Sequence, residues 1–456
     1  MGRLVNASLP AIDGTDLIAQ FTAVRAASER YCAPLAIEDY GLQAMPDTSP
    51  AKWHLAHTSW FFETFLLKPF VRDYRVYHRQ FEYLFNSYYN GIGAQYPRAQ
   101  RALLSRPTVD EVYAYRAHVD AAMLALLDTL PDSRPAAETS TVIERTVLGL
   151  HHEQQHQELV FTDLKYNLAQ NPLLPVYQLA DRQSLSDAGA LPAAQAARSA
   201  TPLDWHYFTG GLIDIGAHNA PAMRYGDFVF DNETPRHQQY LPPYALASRP
   251  LCNAEVLAFI DAGGYRNPAL WLADGWATVQ QQNWQHPLYW QHGADGWQQF
   301  TLHGLQPLDP AATAAHLSAY EADALARWYG ARLPSETEWE HAARQQQVSG
   351  HLLDSRDTSP LLQPGIALRE DKKLSQLFGS VWEWTSSSYA PYPGFQPATG
   401  AIGEYNGKFM CNQLVLRGGA CTTAQDHIRA SYRNFFYPPD RWQFSGVRLA
   451  RSGEAQ

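Results

Sequence analysis

The 456 residues are 45% hydrophobic and 18% charged, enough apolar material for more than one core and a length that favours two domains. Asp and Glu outnumber Lys and Arg by 45 to 35, a net charge of −10, so no overall basic field exists to collect nucleic acid or an anionic membrane surface. No run approaches the roughly 18 uninterrupted apolar residues of a membrane span. The start, MGRLVNASLP, lacks a leader pattern, and Cys32, Cys252, Cys411 and Cys421 show no CxxC spacing. The expectation is a cytoplasmic protein without a disulfide framework, in which any metal is held by His or carboxylate.

Residues 1–180 keep a three-to-four-residue apolar rhythm, and Pro and Gly fall mainly at segment ends, which predicts helices. The first covers about residues 12–31. A second starts at Ser49-Pro50, read as a cap residue followed by Pro at the first helical position, and runs through WHLAHTSWFFETFLL. Thr108 to Glu111 is a capping-box pattern opening VYAYRAHVDAAMLALLDTL, and Thr141 to Glu144 is another opening LGLHHEQQHQELVFTDLKYNL. Four such helices predict a bundle. Residues 181–204, rich in Ala and Ser, read as a linker. Residues 205–452 change to short apolar segments, Gly-rich turns such as GGLIDIGAH and LRGGACTT, and many aromatics, with one clear helix near SAYEADALARWYG. The whole reads as a multidomain α+β chain.

The sharpest local signal is His152-Glu-Gln-Gln-His156, because i and i+4 place both imidazoles on one helix face, able to meet one metal ion. Leu148, Gln155, Leu159 and Tyr166 share that face, which is expected to point into the bundle. The second helix offers His54 and His57; His57 lies one turn from Trp53 and Phe61 and so is placed on the core side as the third ligand. Three neutral histidines leave a divalent metal its full charge and open positions, which suits ferrous iron meeting a thiolate and dioxygen, and also zinc, nickel or copper. The same string fits HExxH, with Glu153 as general base of a zinc peptidase. The HExxHxxGxxH continuation is absent, and Glu153 points about 100° away from His152 on a helix. A non-catalytic binding module leaves the three histidines without a role.

Longer strings carry a resemblance. SPAKWHLAHTSWFFETF, YLFNSYYNGIG, PRAQRALLSRPT and GLHHEQQHQELVFTD in the first part, with FDNETPRH, RWYGARLPSETEWEHAAR, VWEWTSS, LVLRGGA and HIRASYRNFFYPPDRWQFSGVRLAR in the second, resemble the ergothioneine-biosynthesis sulfoxide synthases. These are non-haem iron enzymes with a DinB-like four-helix bundle followed by a C-type-lectin-like, formylglycine-generating-enzyme-like α+β domain. The resemblance implies an O2- and Fe(II)-dependent oxidative coupling of cysteine, in preference to γ-glutamylcysteine, to C2 of the imidazole of hercynine, giving a sulfoxide. It implies that His57, His152 and His156 are the iron ligands and that Gln155 bonds the hercynine imidazole. Tyr88 and Tyr89 match the tyrosine pair of the cysteine-preferring branch, either being a proton donor, and Arg98 and Arg101 resemble arginines that hold the donor carboxylate. Asn434, Phe435 and Phe436 fall where the family positions hercynine and donor; Phe436 stands where the γ-glutamyl branch has Asp. Selenoneine synthases, which couple hercynine to a selenosugar, share the architecture. The sequence departs from the common pattern at ATAAHLSAYEAD, at Ser380 and at Leu251-Cys252-Asn253, all in the second part.

Overall fold

The apolar rhythm of the first part becomes four helices of twelve residues or more: α1 (Gly14–Cys32), α2 (Ala51–Phe62), α3 (Val109–Asp128) and α4 (Ala136–Ala169). The computed structural model describes residues 14–130, 134–179, 203–218, 225–354, 356–357, 360–365, 374–404 and 406–453. The expected linker therefore lies, apart from its last two residues, outside the described residues. Two helix starts differ from the sequence reading. Pro50 itself is the cap position of α2 and no side chain caps it; the hydroxyl of Ser49 instead accepts from Arg101, and its N–H donates to Asp163 of α4 at 2.8 Å. Helix α4 begins after Pro135, which pre-sets the helical φ, so Thr141 sits inside the helix and its hydroxyl bonds back to the carbonyl of Ala137. The capping box at Thr108 forms as expected, with the Glu111 carboxylate and Thr108 hydroxyl bonding reciprocally to backbone N–H groups.

The bundle closes on aromatic and aliphatic side chains: Phe21, Trp60, Phe61, Phe62, Val119, Leu150 and Phe161 are all buried. Gly149 lets α2 and α4 approach, since a Cβ there would meet the Phe62 ring at 2.6 Å. That closeness puts residues of α2 and α4 within imidazole reach of each other. A buried carboxylate of this core is paired. Glu153, fully buried, receives Arg25 at 2.8 Å, Arg116 at 3.1 Å and the Ser28 hydroxyl at 2.6 Å.

The second part is sheet-rich. Strands β1 (Trp205–Phe208), β2 (Gly211–Ile215), β3 (His237–Leu241) and β4 (Tyr244–Ala247) come first, β2 and β3 forming a two-stranded ribbon. A meander follows, of β5 (Trp290–Gly293), β6 (Gly296–Thr301) and β7 (Gly304–Pro307), then a short pair, β8 (Gly350–His351) and β9 (Phe378–Gly379). The strands β10 (Trp382–Ser388), β11 (Leu414–Arg417), β12 (Asn434–Phe436) and β13 (Ser445–Gly446) form a sheet in the order β12-β11-β10-β13, and β14 (Ala450–Ser452) joins β1 and β4. Helices α5 (Asn253–Asp261), α6 (Ala273–Gln282), α7 (Ala319–Trp328) and α8 (Glu336–Ala343) are interspersed, and α7 carries the capping box of Ser318 and Glu321. Buried Trp339, Trp384, Leu416 and Phe444 form the core, and Glu383 is held by Arg448 at 2.7 Å. Among the described residues no helix is long and apolar enough to cross a membrane.

Helix α4 is enclosed on both sides, by the bundle and by the second part. Gln154 donates to Asp426 at 2.8 Å, Glu158 accepts from Trp382 Nε1 and from the Thr423 hydroxyl, and Lys165 lies 2.7 Å from His316 Nε2. This is where the single inward face read from the sequence needs correction: Gln155 turns away from the bundle and donates to the Tyr432 hydroxyl of the second part.

Candidate metal centre and substrate pocket

His57 of α2 and His152 and His156 of α4 offer ring nitrogens that all lie within 4.8 Å of one another. Hydrogen bonds decide which nitrogen His57 and His156 present. His57 Nδ1 lies 2.6 Å from the carbonyl oxygen of Phe85, which can only accept, so Nε2 carries the lone pair; it faces His152 Nε2 at 3.2 Å. The carboxylate of Asp163 is 3.1 Å from His54 Nε2, and His54 Nδ1 is 2.8 Å from His156 Nδ1. Because the carboxylate accepts, His54 carries its proton on Nε2, His156 on Nδ1, and the lone pair of His156 Nε2 is directed at the cluster. His54 thus stands behind a ligand position. Trp53 and Trp60 stack on His57, with centroids 4.6 and 5.5 Å away, and Phe61 packs on His152 at 4.7 Å.

Burial is the first cause that pushes all three rings below the ordinary histidine range, His152 to about 3; at His57 and His156 the neighbouring imidazoles add to it. Neutral rings gathered at one point, two of them with tautomers that leave Nε2 its lone pair, and a low-dielectric wall make a donor set that fits a divalent cation of nitrogen preference. His57 and His152 are buried, whereas His156 and Gln155 keep partial exposure, so the cluster opens on that side. Glu153 does not serve it. Burial alone would raise its carboxyl, but Arg25 and Arg116 hold it below the usual range and engage both oxygens, so Glu153 is not placed as a base of the zinc-peptidase kind.

The loop 86–93 carries the tyrosine pair. Asn86 Nδ2 donates to the carbonyls of Tyr89 and Gly93, while Glu404 of the second part accepts from the N–H groups of Asn90 and Gly91 at 2.8 and 2.6 Å. The pinned loop separates the two rings. Tyr88, at φ 70°, meets Phe409 edge-on at 4.8 Å, and its hydroxyl accepts from Arg98 at 2.6 Å. Tyr89 is buried among Trp60, Phe61 and Phe65, behind the rings that back the histidines. Arg101 lies 3.4 Å over the Trp53 ring whose plane also stacks on His57; it donates to the hydroxyls of Ser49 and Ser87, and burial pushes it down to about 9.

Strand β12 alternates its side chains. Phe435 stacks on Tyr389 at 4.0 Å and lies 6.0 Å from Phe409, so it shares the aromatic wall with Tyr88. Phe436 packs on Trp442 and is not in that stack, and Asn434 turns its side-chain oxygen to the N–H of Phe435. Asp163, Tyr432, Phe409 and Glu404 were not singled out from sequence. Asp163 was within reach, because it is seven residues past His156 and returns to the same helix face. The others come from loops whose placement no local pattern encodes.

Residues 20–160 match the DinB superfamily and residues 197–453 the sulfatase-modifying factor enzyme 1-like domain. A hercynine oxygenase of Mycolicibacterium smegmatis is 31% identical over 436 residues, 90% of this chain and 92% of that protein. One from Mycolicibacterium thermoresistibile is 30% identical, covering 89% and 88%. Ergothioneine biosynthesis protein 1 of Schizosaccharomyces pombe is 25% identical over 251 residues, 52% of this chain and 29% of that protein. Similarity of about 30% over nine-tenths of the chain, helical and sheet-rich parts alike, places the chain in the hercynine oxygenase family of enzymes.

Proposed function

We propose that this enzyme acts in ergothioneine biosynthesis as an iron(II)- and O2-dependent sulfoxide synthase that joins cysteine to C2 of the hercynine imidazole. The observation that carries the reading is the convergence of three neutral imidazoles on one point, two of them with tautomers set by groups that can only accept. The names of the relatives, hercynine oxygenase and ergothioneine biosynthesis protein, supply the substrate class. Bound by His57, His152 and His156, iron(II) would supply one-electron chemistry with O2 and an acidifying site for the donor thiol.

The chain's own residues do the rest. Gln155 at the opening binds the imidazole, and the aromatic wall of Tyr88, Phe409 and Phe435 suits a permanent trimethylammonium. Arg98 holds the donor carboxylate beside Tyr88, with the charge of Arg101 behind it. Tyr88 or Tyr89 delivers a proton to the reacting oxygen. Phe436 offers no anion to a γ-glutamyl ammonium, which favours cysteine. The test is anaerobic loading with iron(II), then hercynine and O2 with cysteine, γ-glutamylcysteine or a selenosugar in parallel, products read by mass spectrometry. The expected product is hercynyl-cysteine sulfoxide. A selenium adduct without sulfoxide moves the function to selenoneine synthesis, and no hercynine adduct from any donor overturns the reading.

A further inference from the structure

Beside the cluster, a chain of side chains crosses from α4 into the second part. His151, adjacent to the cluster residue His152, is buried, and its Nε2 lies 3.2 Å from the carbonyl oxygen of Tyr225. That oxygen accepts only, so Nε2 carries the proton and Nδ1 is an acceptor. The ring cannot turn over easily, since Tyr225 and Phe228 clamp it at 4.4 and 4.3 Å with near-parallel planes. His151 Nδ1 faces His427 Nδ1 at 2.9 Å, so His427 is the donor there. His427 Nε2 then holds a lone pair, 3.0 Å from the Tyr432 hydroxyl, which must donate to it. The Tyr432 oxygen is left to accept, and it accepts from Gln155 Nε2.

One backbone carbonyl thereby sets the direction of each successive bond as far as the amide of Gln155. An amide has a donor end and an acceptor end on opposite sides, and nothing in its shape distinguishes them. We propose that Tyr432, backed by His427 and His151, is a positioning residue that fixes the donor end of Gln155 toward the second part and so turns its carbonyl end toward a ligand bearing a ring N–H. This rests on the reading of Gln155 as the contact for the hercynine imidazole. It makes recognition of the ring depend on three residues that do not touch it, and it ties recognition to the docking of the two parts, since Gln155 and Tyr432 come from different sides.

The test measures hercynine binding to the full-length, iron(II)-loaded enzyme without O2, together with KM values for hercynine and cysteine, for wild type, Tyr432→Phe, His427→Gln and the double variant. Tyr432→Phe removes one oxygen and keeps the ring. The expected result is a loss of hercynine affinity of about tenfold in each single variant. Hercynine KM should rise in step while cysteine KM, iron affinity and melting temperature hold, and the double variant should be no weaker than either single one, because both break the same chain. Losses that multiply in the double variant, or that appear equally in cysteine KM, mean a packing role and overturn the proposal. Failure of the parent reading looks different: Gln155→Ala then binds hercynine as wild type does. If the relay alone is wrong, Gln155→Ala is weakened and Tyr432→Phe is not.

Discussion

At His156 the nitrogen that faces the cluster is selected two hydrogen bonds away, by Asp163 through His54. Asparagine at 163 keeps an oxygen that accepts from the Ser49 N–H and the His54 ring, so the start of α2 and the tautomers are spared, but it removes the negative charge that strengthens the bond to His54 and makes His156 a more basic ligand. Asp163→Asn is expected to weaken binding of iron(II), or of cobalt(II) followed by its absorbance, by about 10- to 100-fold. Unchanged affinity would remove the relay. The tyrosines differ in the same local way. Tyr88 stands at the aromatic wall with Arg98 on its oxygen, and Tyr89 sits behind Phe61, so replacing each by Phe separates a proton donor from a packing residue. The donor variant should turn over thiol without forming the C–S bond; normal coupling in both variants would remove the role from the pair.

Helix α4 shows what a sequence pattern conveys and where it stops. The HxxxH spacing and the position of His57 one turn from Trp53 and Phe61 were enough to bring out the three-histidine set, because ligand geometry on helices follows from 3.6 residues per turn. The same periodicity misjudged Gln155, since it marks a face without saying whether a bundle or a second domain covers it. The helix start was misplaced at Thr141 because a capping-box string inside a helix looks like one at its end, and Pro135 was the stronger signal. Tyr432, Phe409 and Glu404 were invisible for a plainer reason: long irregular connections bring them in, and no period describes those.

Lys165, on the same helix, is a consequence of that enclosure. Its ammonium is buried against Tyr289 and Phe444, with His316 as its hydrogen-bond partner, and burial lowers it from 10.5 to about 7, while Cys421 pulls weakly the other way. Between about pH 7 and 10.5 the unfolded chain therefore binds more protons here than the folded one, and stability from this group rises with pH through that window; below about pH 7 the burial cost is fully present. Lys165→Met should accordingly gain most over wild type near pH 6 to 7, the gap closing toward pH 10 in denaturant titrations. A gap that does not change with pH would contradict it.

On the scale of the molecule, the proposed site draws on both parts. In the proposed site the bundle would supply the histidines, Arg98 and Tyr88, and the second part Phe409, Phe435 and Tyr432; Glu404 of the second part pins the tyrosine loop. Buried polar bonds such as those of Glu158 to Trp382 and Thr423 hold the parts in register, and their loss on separation would leave polar groups unpaired. The most direct measurement of the account is turnover of iron(II)-loaded protein with hercynine and cysteine under 18O2, beside the His57→Ala, His152→Ala and His156→Ala variants. The account predicts a hercynyl-cysteine sulfoxide carrying one 18O from wild type and none from any variant. A labelled sulfoxide formed at wild-type rate by a variant lacking one of the three imidazoles would contradict it.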